Sequence, residues 1–125
     1  MKKELVVKKC KSCGAIVKVI KDCNCSGCGI KCCDESMEKL IPNSVDAAVE
    51  KHVPTIEVKG DKILVEVNHV MEDDHFIEWV SFVTDNKECT KYFIPGENAE
   101  TEFKYIPDSK VYAYCNKHGL WMKEV

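Results

Sequence analysis

The sequence predicts a mainly β protein in which a small metal-binding domain precedes an immunoglobulin-like β-sandwich. Seven of the nine cysteines fall between Cys10 and Cys33. Thiols clustered so densely, with no export signal before them, are typical of a metal site. After residue 54, about seven short stretches rich in β-branched and aromatic residues alternate with turn residues, as in a sandwich. We therefore divide the 125 residues into a metal-binding domain over 1–38 and a β-sandwich domain over 39–125.

The N-terminal domain is predicted to contain two short strands, over 2–9 and 14–21, joined by Cys10-Lys11-Ser12-Cys13-Gly14. Two cysteines separated by two residues and followed by glycine form a metal knuckle. About 38 residues cannot bury enough apolar surface to hold a fold, so this segment requires a staple, that is, a cross-link such as a bound metal ion. A tetrahedral site of four thiolates, Cys10, Cys13, Cys32 and Cys33, would supply one.

Three further cysteines, Cys23, Cys25 and Cys28, exceed what one tetrahedral ion can use. Cys28 could replace Cys32 or Cys33, or all three could be free, or two could pair on oxidation; we favour free thiols. A ninth cysteine, Cys89, stands alone at the start of a later strand, and we expect it to be a small buried hydrophobe.

The second domain begins with a connector over 39–43, after which Asn43 or Ser44 is expected to cap a helical turn over 45–51. Pro54 ends that turn. Strands are then predicted at 55–58, 62–67, 76–84, 89–94, 100–106, 110–115 and 120–125. The first two flank Gly60-Asp61, a hairpin signal.

Charge and hydropathy exclude some partners. All 18 basic residues are lysine, and arginine is absent. Arginine is the side chain most used for bidentate recognition of phosphate and guanine, so we expect no nucleic-acid partner. Residues 1–38 carry 8 Lys against 5 acids, a formal +3, whereas residues 39–125 carry 10 Lys against 16 acids, a formal −6. No apolar run approaches about 18 residues and the N-terminus lacks a signal-peptide pattern, so we expect a cytoplasmic protein with no membrane partner.

A second metal site is indicated by Cys115-Asn116-Lys117-His118, because a short turn can bring a thiolate and an imidazole to one ion. That pair alone is weak evidence. The chain's other histidines, His52, His69 and His75, also lie at loops or strand ends, and together they indicate one metal site that includes Cys115 and His118.

Three stretches resemble the iron-site motifs of the superoxide reductase family. They are Glu50-Lys51-His52-Val53-Pro54, His69 with His75, and Cys115-Asn116-Lys117-His118-Gly119-Leu120-Trp121. In addition, Cys10-Lys11-Ser12-Cys13-Gly14 with Cys32-Cys33 resembles the rubredoxin-like, desulforedoxin-type domain of the two-iron form, desulfoferrodoxin. The likeness covers nearly the whole chain, although the 23–28 loop is richer in sulfur than the family pattern and Val70 stands where a proline is usual.

The resemblance implies a set of roles. A mononuclear catalytic iron would be held by His52, His69, His75 and His118 as equatorial ligands and by Cys115 as axial thiolate, with a second iron in the four-cysteine site. Glu50 would be the carboxylate that can occupy the open position after oxidation, and Lys51 the lysine beside it. Five such ligands suit an open non-haem iron better than structural zinc.

The implied activity is one-electron reduction of superoxide to hydrogen peroxide, with electrons from rubredoxin or a similar carrier, in a homodimer. Two other functions are compatible with the residues alone. One is a zinc-stabilised binding module in which both clusters are structural. The other is an electron-transfer protein that uses only the four-cysteine site, which leaves the four histidines unexplained.

Overall fold

The computed structural model describes residues 4–24 and 29–125, so two of the extra thiols, Cys25 and Cys28, lie outside the described residues. The chain divides into two compact units, Glu4–Ile41 and Pro42–Val125. Apart from one 3₁₀ turn, the regular elements of both units in the described residues are strands, which confirms the predicted mainly β class. Within the described ranges, no helix is both long and apolar enough to cross a membrane.

The N-terminal unit contains five very short strands: β1 (Val7–Lys9), β2 (Ile16–Lys18), β3 (Lys31–Cys32), β4 (Glu35–Ser36) and β5 (Glu38–Lys39). Strand β1 lies between β2 and β5, antiparallel to both, and β3 pairs with β4. The first two strands were predicted, though longer than observed. The other three were not, because two-residue strands are too short to show an alternating pattern.

The C-terminal unit is a sandwich of seven strands in two antiparallel sheets, as predicted. One sheet has the order β10-β7-β6 and contains β6 (Thr55–Lys59), β7 (Lys62–Glu66) and β10 (Glu100–Lys104). The other has the order β12-β11-β8-β9 and contains β8 (Ile77–Val83), β9 (Glu88–Tyr92), β11 (Lys110–Cys115) and β12 (Gly119–Glu124).

Alternating residues of both sheets form the sandwich core. On β11, Val111, Ala113 and Cys115 are fully buried and belong to this core. Strand β8 has one extra residue against the end of β11, because Tyr114 pairs with Trp79 whereas Cys115 pairs with Ile77. Such a bulge re-aims the side chains beyond it. The last core residue of β11 is thus a thiol at the end of the sheet.

Two local predictions were wrong. The helical turn expected over 45–51 is only a 3₁₀ turn at Val49–Lys51, which begins after Ala48 without a side-chain cap. Asn43 instead pairs with β12: its amide donates to Met122 O at 3.1 Å and accepts from Met122 N at 2.8 Å. Cys89, expected to be buried, is exposed. It lies on β9, one of the two edge strands of its sheet.

Candidate metal centres

The four predicted cysteines of the N-terminal unit form one cluster. The thiol sulfurs of Cys10, Cys13, Cys32 and Cys33 lie within 4.8 Å of one another. The Sγ atoms of Cys13 and Cys32 are 3.6 Å apart, and those of Cys32 and Cys33 are 3.9 Å apart. Sulfurs this close suit a small ion with Zn–S or Fe–S bonds of about 2.3 Å.

Two tight turns deliver these thiols. After β1, the turn at 10–14 is closed by a 2.9 Å bond from Gly14 N to Cys10 O, and Gly14 has a φ of +80°. Between β3 and β4, Cys33 and Asp34 have φ values of 54° and 61°, the two left-handed residues that a type I′ hairpin turn requires. The usual Asn-Gly signal of this turn is absent, so the sequence did not reveal it.

The pKa shifts of these thiols are compatible with a bound cation. Backbone N–H groups of Cys13 and Ser12 lower the pKa of Cys10 to about 7. The neighbouring thiols of Cys13 and Cys10 raise the pKa of Cys32 to about 12 and also raise that of Cys33. One thiolate is therefore stabilised by the fold, while further ones need a bound positive charge. The donor set fits a tetrahedral metal ion.

The second cluster lies at one end of the sandwich, where five loop or strand-end positions meet. His52 ends the 3₁₀ turn, His69 follows β7, and His75 precedes β8. Cys115 is the last residue of β11, and His118 lies in the turn between β11 and β12. The ligand atoms of these five residues lie within 4.8 Å of one another. Every histidine of the chain is included, so the structure brings the predicted set together.

The four imidazoles form a closed cycle. Ring centroids are 4.7 Å apart for His52 and His69, 4.6 Å for His69 and His75, 5.0 Å for His75 and His118, and 4.9 Å for His118 and His52. The interplanar angles of the four pairs run from 69° to 90°. Rings arranged edge to face around a square direct one nitrogen each toward its centre, which is an arrangement for four ligands of one ion.

Hydrogen bonds identify the nitrogens available for a metal. His52 Nδ1 donates to Ala48 O at 2.7 Å, and His69 Nδ1 donates to Val70 O at 2.5 Å, which leaves Nε2 of each ring for a ligand. His75 Nε2 is buried and has no hydrogen-bond partner among the described residues. An orphaned buried nitrogen is costly unless an ion or water satisfies it, so this atom fits a metal ligand.

Burial favours the neutral forms of His69, His75 and Cys115. Desolvation lowers the pKa of His69 and His75, and the adjacent imidazoles lower each pKa further. Burial also raises the pKa of the Cys115 thiol, although the backbone N–H groups of Lys117 and His118 act in the opposite direction. The His118 N–H lies 3.4 Å from Cys115 Sγ. These N–H groups point at the sulfur and would stabilise its thiolate once a cation is present.

Two residues without a predicted role support the cluster. Trp121, almost fully buried, stacks on the His52 ring at 4.8 Å and donates from Nε1 to His118 O at 3.0 Å. Gly119 closes the β11–β12 turn with a φ of +79°, and a Cβ there would lie 3.2 Å from Val45. Both belong to the stretch around Cys115, but their contacts with His52, His118 and Val45 are seen only in the folded chain.

A cavity of about 430 Å³ opens over the histidine cluster. Its lining includes His52, His69, His75 and His118 together with Ala47, Val70 and the charged side chains of Asp46, Lys51 and Glu72. Glu50 is exposed on the same 3₁₀ turn, but it is not among the described residues that line the cavity. Lys117, the other nearby cation, lies 3.7 Å from Asp74, so its charge is partly compensated.

The five donors fit a metal ion of higher coordination than structural zinc, which prefers four ligands. Four imidazoles and one thiolate with an adjoining cavity leave room for a further small ligand, as in open non-haem iron sites. The orphaned nitrogen of His75 and the convergence of all five donors support an ion at this position.

Comparison with known proteins agrees with both clusters. Residues 44–124 match the family model described as Desulfoferrodoxin. A desulfoferrodoxin of Syntrophotalea carbinolica is 43% identical over 129 residues, covering 99% of both chains. A superoxide reductase of Pyrococcus abyssi is 33% identical over 99 residues, covering 61% of this chain and 86% of that one.

Among solved structures, the superoxide reductase of Treponema pallidum superposes with a TM-score of 0.71 at 28% identity, covering 97% of this chain and 99% of that one. The four-histidine, one-cysteine cluster and the four-cysteine cluster match the two-iron desulfoferrodoxin pattern. This chain belongs to the desulfoferrodoxin family.

Proposed function

We propose that this protein is a superoxide reductase, which converts superoxide to hydrogen peroxide by adding one electron and two protons. The observation that carries the proposal is the cycle of four imidazoles beside a buried thiol, opening to a cavity. Iron bound there would supply the electron by passing from Fe(II) to Fe(III). The relatives named superoxide reductase add support.

The proposed ligands are His52, His69, His75, His118 and Cys115. Burial and the adjacent imidazoles lower the pKa of His69 and of His75, which favours the neutral form that a metal ligand requires. Cys115 adds the one anionic donor of the set. Its sulfur faces the His118 N–H, which limits how much charge the thiolate delivers to an ion.

Lys51 is proposed to attract superoxide. A formal −6 over residues 39–125 repels an anion, so the attraction must act within about 8 Å, the Debye length at physiological salt. Lys51 lines the cavity, and its ammonium has no ion-pair partner in the described part of the chain. Glu50, on the same exposed turn, is proposed as the carboxylate that approaches the open position after oxidation.

The N-terminal unit is proposed to be a desulforedoxin-like iron domain over 1–38, with Cys10, Cys13, Cys32 and Cys33 as ligands, attached to the superoxide reductase domain over 39–125. Its iron would either relay electrons or staple the small fold. We further propose a rubredoxin-like donor, a homodimer and a cytoplasmic location, since so many unpaired thiols suit a reducing compartment.

Metal analysis together with visible spectra tests this proposal. We expect two irons per chain and, on oxidation, a thiolate-to-iron absorption band that disappears on reduction. The Cys115→Ser variant should lose that band while the four-cysteine centre keeps its own. A colourless protein with two zinc ions and no redox response would instead indicate a binding module, and the proposal would fail.

A further inference from the structure

The ring of His75 is held in place by other interactions than the rings of the neighbouring His52 and His69. His52 and His69 each fix their ring with a hydrogen bond from Nδ1 to a nearby carbonyl. The described hydrogen bonds of His75 are made by its backbone, which exchanges bonds of 3.0 and 3.2 Å with Glu72. Its buried Nε2 has no partner. The direction of this ring therefore depends on how firmly its backbone segment is held.

That segment is held by Asn116. The bulge between Tyr114 and Cys115 interrupts the ladder of β11 with β8 where the chain must turn toward His118. Beyond it, Asn116 N donates to Phe76 O at 3.3 Å. The Asn116 side chain then accepts from Phe76 N at 3.0 Å and donates to Asp74 O at 2.9 Å.

We propose that Asn116 is a positioning residue that fixes His75 relative to Cys115 and His118 for metal binding. Asn116 is hydrogen-bonded to Asp74 and Phe76, the residues on both sides of His75. Because Asn116 directly follows Cys115 in the chain, these bonds fix the His75 segment relative to the thiol. The inference rests on the proposed function only in taking His75 as a metal ligand.

The chemistry of the amide explains why asparagine occupies this position. The strand ends at Cys115, and Phe76 N and Asp74 O pair with the Asn116 side chain rather than with a further residue of the strand. A side-chain amide of this length carries one acceptor and one donor and thus reproduces a peptide unit in the ladder. Leucine has a similar shape with neither group, and aspartate keeps the acceptor but loses the donor.

The experiment measures the affinity of the histidine site for Co²⁺ and Fe²⁺ under anaerobic conditions in Asn116→Leu, Asn116→Asp and Asn98→Leu. Asn98 is an exposed asparagine elsewhere on the sandwich and serves as the control. Absorbance of the four-cysteine centre provides an internal reference for intact protein. We expect about a 10- to 100-fold loss of affinity in Asn116→Leu, a smaller loss in Asn116→Asp and less than about a 2-fold change in the control.

A double-mutant cycle with His75→Ala separates positioning from general folding. If Asn116 acts through His75, adding Asn116→Leu to His75→Ala should change the metal affinity by less than about 2-fold. An equal loss in both backgrounds would overturn the inference, as would wild-type affinity in Asn116→Leu. Should Asn116→Leu fail to fold, wild-type affinity in Asn116→Asp would overturn it instead. Superoxide is not used, so an inactive enzyme that still binds metal would contradict the proposed function and leave this result intact.

Discussion

Replacing Trp121 by phenylalanine should weaken the histidine site while the sandwich still folds. The indole stacks on the His52 ring with an interplanar angle of 25° and donates to the His118 carbonyl at 3.0 Å. It thus holds two adjacent members of the imidazole cycle. Phenylalanine can keep the stacking contact, but it cannot donate the hydrogen bond.

The size of the effect follows from burial, because Trp121 is only 1% exposed. An acceptor left without its partner costs about 1–3 kcal/mol, and the cavity beside a smaller ring adds about 1 kcal/mol. The apoprotein should therefore lose roughly 2–4 kcal/mol of stability, a fall in Tm of roughly 10–25 °C for a unit of this size. If about half of this free energy, about 1–2 kcal/mol, is lost from holding the ligands in place, the metal affinity drops roughly 5- to 30-fold.

Thermal unfolding of the apoprotein and anaerobic titration with Fe²⁺ measure the two quantities. Trp79→Phe is the matched control, since Trp79 is partly buried and stacks on Tyr114 at 5.6 Å, with no contact to a ligand among the described interactions. We expect the control to keep its metal affinity within about 2-fold. Equal metal affinities in Trp121→Phe and Trp79→Phe would show that Trp121 does not hold the ligands in place.

Three further predictions concern charge, the N-terminal cluster and acid stability. Lys51→Ala should slow the reaction with superoxide several-fold and weaken its salt dependence while iron stays bound. Lys117→Ala should have less effect, because the charge of Lys117 is paired with Asp74. Pulse radiolysis measures both rates, and an unchanged rate in Lys51→Ala would exclude electrostatic attraction of superoxide by Lys51. Cys13→Ser should lose the N-terminal iron selectively; retained peroxide production indicates a staple, and loss of reduction by the donor indicates a relay. Lys8 lies 3.0 Å from Asp22 and holds the pKa of that carboxyl below its usual 3.8. Asp22 therefore adds stability that is fully present above about pH 4 and is lost as pH falls through the lowered pKa, so the Tm deficit of metal-loaded Asp22→Asn at pH 7 should shrink as the pH is lowered below about 4.

The sandwich was predictable because its strands alternate clearly and are separated by strong turn signals. All seven predicted strands of the second domain are present, with ends shifted by two residues or fewer. The metal clusters were predictable for a different reason. Cysteine and histidine are scarce residues whose chemistry limits what a group of them can do, so their spacing carries information even without contacts.

What the sequence did not reveal depends on contacts between distant segments. The 3₁₀ turn is shorter than expected because the Asn43 side chain pairs with β12 and cannot cap a helix. Cys89 is exposed because β9 lies at an edge, a position that strand patterning cannot assign. Asn116 and Trp121 look like ordinary loop and core residues until the folded chain shows what they touch.

The products formed when fully reduced protein is mixed with superoxide under anaerobic conditions distinguish a superoxide reductase from other proteins. We expect one hydrogen peroxide for each histidine-site iron that is oxidised, and no dioxygen beyond that of a protein-free control. Dioxygen formed in an amount equal to the peroxide would indicate disproportionation, and no peroxide at all would indicate an unreactive site. Either result would show that the protein is not a superoxide reductase.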